Sequence, residues 1–263
     1  NKTKRISIEL NTEMNCVWKS GVQCLKIMKA LHHTNKMINI KFDDSGVHII
    51  SMDMSKTSLV KLELEASEFK SYECPNPIVL GLYSEVLLNI LQKAKKNTLV
   101  WSAKDEEELV ITFVNETQKT QFSIRTIAID TDELAIPQLD DDVALRVPRD
   151  IVQDWFDKMM MAKNDVRFEV SQSQFECQSD SIEFGKVTYT EPIGTDRIVC
   201  AAYRNDVQMT LSFFAIKSMS VFAGTGGDTC FLGLSNNQPS RIQMSFGDDS
   251  YLCLYVAPKI TES

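Results

Sequence analysis

The chain has 263 residues, 43% of them hydrophobic and 24% charged, and a net charge of −8, enough for one large domain or two of about 130 residues, each with its own core. No apolar run reaches the roughly 18 residues of a membrane span, the N-terminus lacks a signal-peptide core, and seven scattered cysteines without a C-x-x-C pair argue against a disulfide framework or a zinc site. The expected compartment is therefore reducing, with no secretion, and any binding of phosphate must come from lysines gathered on one surface.

Residues 1–13 form an N-terminal extension whose Ile6-Ser7-Ile8-Glu9-Leu10 alternation suits either an added edge strand or a mobile arm. Residues 21–32 carry Val22, Leu25, Met28 and Leu31 at helical spacing, with Cys24 and Ile27 beside them, which predicts an amphipathic helix. Strands follow at 37–42, 47–52 and 58–64, the first two joined by Asp43-Asp44-Ser45-Gly46, a hairpin turn. A second helix is predicted over 84–96, with Ser84 as N-cap and Val86, Leu87, Ile90, Leu91 and Ala94 on its buried face. Strands at 98–103, 108–114 and 120–129 complete the first half. An acidic segment at 129–142, containing Pro137, separates it from the second.

The second half opens with a helix over 149–162, whose inner face is Ile151, Val152, Trp155, Phe156 and Met159. Alternating segments at 166–170, 174–178, 186–190 and 197–203 precede a helical run at 208–222, and strands close the chain near 229–234, 241–246 and 251–257. The two halves thus repeat one order of elements, which predicts an α+β fold of two similar domains, each with two helices on antiparallel sheet.

Gly46-Val47-His48-Ile49-Ile50-Ser51-Met52-Asp53, Ser58-Leu59-Val60-Lys61-Leu62 and the tail Tyr255-Val256-Ala257-Pro258-Lys259-Ile260 resemble the sliding-clamp, or PCNA, family. The likeness continues through residues 82–91 and through Leu134-Ala135-Ile136-Pro137, and is colinear from about residue 14 to 260, weaker in the second half, as in a divergent or viral member. The resemblance implies a DNA clamp fold with clamp domains at 14–128 and 143–263 and a connecting segment at 129–142. It also implies a ring-forming homotrimer that encircles duplex DNA without reading its sequence, and that tethers a DNA polymerase and other proteins bearing short clamp-binding motifs. Its location would be the nucleus in a eukaryotic cell, otherwise the cytoplasm or a viral replication compartment, with no membrane partner, no cofactor and no metal.

On that resemblance, DNA would be met by Lys26 and Lys29, Lys93 and Lys96, and Lys158 and Lys217, each on a polar helix face; solvated lysines on any amphipathic helix would look the same. Asp150, Asp154 and Asp157 on the third helix depart from a basic DNA face, so either that helix sits differently or the hole is less positive, with a weaker and more salt-sensitive grip. Partner peptides would dock on Met52, Lys56, Leu59, Leu134, Ile136, Pro137, Pro239, Ala257, Pro258 and Ile260, an apolar floor with a polar rim. Lys56 stands where the family usually has a histidine. Leu134 and Ile136 would also serve as plain linker anchors. The edges for ring closure are expected at 119–127 and 197–203.

Catalysis is not expected. The histidines His32, His33 and His48 form no nucleophile or metal pattern, Asp140-Asp141-Asp142 suits a solvated linker, and Gly224-Thr225-Gly226-Gly227-Asp228 lacks the G-K-[ST] ending of a phosphate loop. A checkpoint-type heterotrimeric clamp subunit, an open viral processivity factor and a scaffold without DNA binding are the rival readings.

Overall fold

The computed structural model describes residues 13–93, 97–129, 134, 136 and 139–259. Its first half runs β1 (Met14–Trp18), α1 (Gly21–Thr34), β2 (Met37–Asp43), β3 (Gly46–Met52), β4 (Ser58–Glu65), β5 (Phe69–Glu73), β6 (Ile78–Tyr83), α2 (Ser84–Leu91), β7 (Thr98–Ala103), β8 (Glu108–Val114) and β9 (Lys119–Arg125). The second half runs β10 (Val143–Pro148), α3 (Arg149–Met160), β11 (Val166–Val170), β12 (Gln174–Ser181), β13 (Gly185–Pro192), β14 (Val199–Tyr203), β15 (Val207–Leu211), α4 (Phe213–Ala223), β16 (Thr229–Leu234), β17 (Ser240–Ser245) and β18 (Tyr251–Val256). A strand, a helix, five strands, a helix and three strands occur in both.

The pairing repeats as well as the order. In the first half β5-β1-β7-β8-β9 and β6-β2-β3-β4 are hydrogen-bonded neighbours, and in the second β14-β10-β16-β17-β18 and β13-β12-β11-β15 are. Every pairing is antiparallel. One seam joins the halves: β4 pairs with β18, from Ser58 opposite Val256 to Glu63 opposite Tyr251, which makes a nine-stranded sheet. The counterparts of those two strands, β13 and β9, end their sheets with one neighbour each.

Alternation along the strands sends one side chain in two to the helices. Val60, Leu62, Ile242, Met244, Leu252 and Leu254 are buried in the main core, on the face where α4 packs against β17 and β18. Neighbouring helices touch in the order α2, α1, α4, α3, so the four form one layer. In the first half Trp18 meets Phe69 and Trp101 edge-on at 4.9 and 5.2 Å; in the second Trp155 stacks on Phe175 at 4.3 Å. Such aromatic pairs contribute about 0.5–1.5 kcal/mol beyond the area they bury.

Several local expectations shift. In α1 the buried residues are Cys24, Ile27, Met28, Ala30 and Leu31, while Val22 is exposed. The second helix ends at Leu91, and Tyr83, not Ser84, is its N-cap. The Ser84 hydroxyl instead donates to the Asn35 carbonyl at 2.6 Å. The run at 208–222 divides: Gln208 to Leu211 belong to β15, paired with β11, and the Ser212 side chain then accepts from the Ala215 N–H at 3.2 Å to start α4. Residues 1–12 lie outside the described residues, as does the alternating segment at 6–10.

Candidate functional site

The outer face of the nine-stranded sheet, opposite the helices, carries a second and separate apolar cluster. Leu59, Cys253 and Tyr255 are buried at its base, with Met52, Leu134, Ile136, Leu139 and Tyr251 packed around them. The sheet register explains the grouping: Met52 lies opposite Leu59 and Leu59 opposite Tyr255, so adjacent strands supply one row. These residues share a face because each alternates with one committed to the helix side.

Leu134, Ile136 and Leu139 of the connecting segment pack on this row. Just before the segment the Ile127 N–H donates to the Gly81 carbonyl at 2.9 Å, and at its start the Asn39 side-chain amide donates to the Ile129 carbonyl at 3.2 Å. A Cβ at Gly81 would sit 2.0 Å from the Ile127 carbonyl oxygen, so only glycine allows this approach. At its far end Asp141 is buried, takes two bonds from the Arg241 guanidinium at 2.6 and 3.2 Å, and fills the space above Gly233. Burial raises the Asp141 pKa and the Arg241 hydrogen bond opposes that rise.

The β3–β4 turn, which carries Lys56, is held by one buried carboxylate. Asp53 Oδ1 accepts from the N–H groups of Thr57 and Ser58 at 2.8 and 2.7 Å, and Oδ2 accepts from the Thr57 hydroxyl at 3.1 Å. Lys56 itself is exposed, with a φ of 57°. Beside this turn runs the tail: the Ala257 N–H donates to the Thr57 carbonyl at 2.9 Å, and the Lys259 N–H to the Thr210 carbonyl at 2.8 Å. Pro258 borders a cavity of about 560 Å³ shared with Gln208, Thr210 and Asn237.

The structure therefore brings together Met52, Leu59, Leu134 and Ile136, with Lys56, Ala257 and Pro258 at the rim. Pro239 is half-buried between β16 and β17 and is not part of the apolar cluster. Pro137 and Ile260 fall outside the described residues. Sequence reasoning missed Cys253, Tyr255, Tyr251, Leu139 and Asp53. The alternation of β18 marked two of them, since Cys253 and Tyr255 stand on the opposite face from Leu252 and Leu254.

Of the lysines proposed for DNA contact, Lys29 and Lys217 are exposed, Lys26 is half-buried, and Lys93 is exposed just past α2. Lys96 lies outside the described residues. Lys158 is committed elsewhere: it binds Asp154 at 2.5 Å and sits 5.1 Å from the Tyr189 ring centroid. Lys217 lies on α4, whose Phe214 stacks on His33 of α1 at 5.5 Å.

His48 bridges two carboxylates on the outer face. Its Nε2 lies 3.0 Å from Asp43 Oδ1, and its Nδ1 contacts Glu63. The Glu63 hydrogen bond raises the His48 pKa against the opposing effect of burial, and Asp43 adds to the rise. Burial pushes Asp43 and Glu63 upward, but bonds from Lys41, Ser45 and His48 to the first, and from His48 and Lys61 to the second, outweigh it and hold both below the usual carboxylate range. Among the described residues no three His, Cys, Asp or Glu side chains are placed to hold a metal ion, and no helix is long and apolar enough to cross a membrane.

Residues 14–134 match the family described as proliferating cell nuclear antigen, N-terminal domain. The chain is 26% identical over 248 residues to the proliferating cell nuclear antigen of Chaetomium thermophilum, covering 89% of this chain and 93% of that protein. It is 25% identical over 226 residues to a DNA polymerase sliding clamp of Methanothermobacter thermautotrophicus, covering 85% and 88%. A probable DNA polymerase sliding clamp 2 of Paramecium bursaria Chlorella virus 1 is also 25% identical, over 231 residues, covering 85% and 82%. The crystal structure of the Entamoeba histolytica proliferating cellular nuclear antigen has the same fold, with a TM-score of 0.86 at 19% identity, over 95% of this chain and all of that one.

Proposed function

Because the chain belongs to the sliding-clamp family, we propose that it is a polymerase processivity factor that closes head to tail into a homotrimeric ring around duplex DNA. Sliding clamps are not enzymes, and neither is this chain. Residues 14–128 and 143–263 act as its two clamp domains, joined by 129–142.

The seam between β4 and β18 carries this reading. It is made inside one chain, while the equivalent strands β13 and β9 are left with one neighbour each. An edge strand presents unpaired N–H and C=O groups to any partner of matching register. Pairing β9 of one copy with β13 of the next repeats the internal seam, so the same rotation recurs from copy to copy, and a rotation that divides the circle gives a ring. The edge at β14, expected for this role, is the counterpart of β5 and not of β4. The four helices would face the hole, where sliding contacts with phosphates need no base readout.

The apolar row under Leu134, Ile136 and Leu139 supports recruitment of polymerase and repair proteins through short peptides that insert hydrophobic and aromatic anchors. The acids of α3 weigh against an open factor that holds DNA by charge alone. Sedimentation across protein concentration tests the ring: a mass near three times 29.8 kDa is expected. A persistent monomer would overturn the homotrimer in favour of a heteromeric ring or an open factor.

A further inference from the structure

α1 and α3 are counterparts that share four buried positions, while Ala30 of α1 and Ile151 of α3 are buried in one helix only. Cys24, Ile27, Met28 and Leu31 are buried in α1, and Val152, Trp155, Phe156 and Met159 at the same spacing in α3. The N-caps Ser20 and Pro148 keep the same offset, so the two helices lie on their sheets with the same face inward. This correspondence sets Lys26 against Asp154 and Lys29 against Asp157. The solvent face that is basic in the first half is thus acidic in the second.

No rearrangement hides the acids. Asp150, Asp154 and Asp157 are exposed, and only Asp154 has a cationic partner among the described residues, Lys158. That partner leans over Tyr189 on β13, toward the sheet edge. Neither Lys26 nor Lys29 is paired with an acid among the described residues.

We infer that Asp154 and Asp157 make α3 of each subunit repel DNA phosphates, so that the duplex is gripped by Lys26 and Lys29 of α1 and passes only weakly held over α3. The inference rests on the reading that the helices line the hole. In a closed ring the two kinds of helix alternate, giving attractive and repulsive sectors in turn. Each phosphate contact contributes about 0.9 to the slope of log affinity against log salt, so a hole whose α3 sectors are acidic holds DNA with fewer released counterions and a shallower salt dependence. Asp154 and Asp157 set the strength of the grip, whereas Lys26 and Lys29 supply it.

The test is fluorescence anisotropy of a short labelled duplex, titrated with the full chain over a range of salt concentrations. Asp154→Lys with Asp157→Lys is expected to steepen the slope by about one unit or more and to raise affinity about tenfold at low salt. Asp154→Asn with Asp157→Asn should fall between, and Lys26→Ala with Lys29→Ala should weaken binding and flatten the slope. Circular dichroism and the sedimentation mass check that each variant keeps its fold and assembly. If the lysine substitutions leave affinity and slope unchanged while the alanine pair still weakens binding, the inference fails and the clamp reading stands. If neither the parent chain nor any variant shows salt-dependent association, the inference fails, while the clamp reading falls only if the sedimentation mass is also that of a monomer.

Discussion

At the scale of single residues, the groove depends on a few side chains that alternation sends away from the core. Ile136 packs on a row built from Met52, Leu59 and Tyr255, where burying an aliphatic side chain contributes about 1.5–3 kcal/mol. Ile136→Ser should abolish binding of a clamp-binding peptide, measured by calorimetry, while the sedimentation mass stays that of the parent; unchanged peptide affinity would refute this location for the groove. His48 gives a second prediction, about pH. Its pKa is raised in the folded chain, so its stabilising contribution is complete below the ordinary value of 6.5 and fades as pH rises through the folded value. Asp43 and Glu63 are lowered, so theirs is complete above the ordinary carboxylate range and fades in acid. Urea unfolding of the parent should therefore lose stability from mildly acidic toward alkaline pH relative to His48→Gln; parallel curves across that range would show that the bridge contributes nothing.

At the scale of elements, helical spacing and alternation made much of the fold legible. The face of α3 was read correctly to the residue, because Ile151, Val152, Trp155, Phe156 and Met159 have no second face to choose. The face of α1 was misread at Val22, where apolar character without tertiary burial mimics a core position. The strand β15 was taken for helix because Gln208 to Leu211 carry no punctuation before the Ser212 cap, and only pairing with β11 decides them. Alternation sets Tyr255 and Cys253 on the face away from the helices, but their membership of a groove was not legible, since their partners come from β4, far back along the chain. Edge pairing makes its own prediction. Proline placed at Thr120 and, separately, at Gln121 tests both orientations of the β9 backbone, since neighbouring N–H groups point to opposite sides of a strand. The variant whose N–H faces away from β8 should keep its circular dichroism and run as a monomer by sedimentation. Parent-like mass in both folded variants would exclude β9 from the contact between copies.

At the scale of the whole molecule, a net charge of −8 is compatible with a DNA-encircling ring because topology, not charge, keeps the duplex in place. In the proposed ring the acids would control friction: a weak electrostatic grip would leave it free to move, and the proposed outer groove would supply the specific attachment. The division of labour is spatial: helices form one layer, the sheet stands between, and the connecting segment with its apolar row lies on the far side.

The seam between Ser58–Glu65 and Tyr251–Val256 also sets the order of events during synthesis. The first-half sheet emerges from the ribosome long before its partner strand exists, so β4 waits with a bare edge. Contacts so distant along the chain close slowly, and a waiting edge is where nascent chains mispair. A neighbouring chain's β18 fits that edge as well as its own does. The seam that models the proposed ring contact is therefore also a route to strand-swapped assembly, favoured where newly made chains are concentrated.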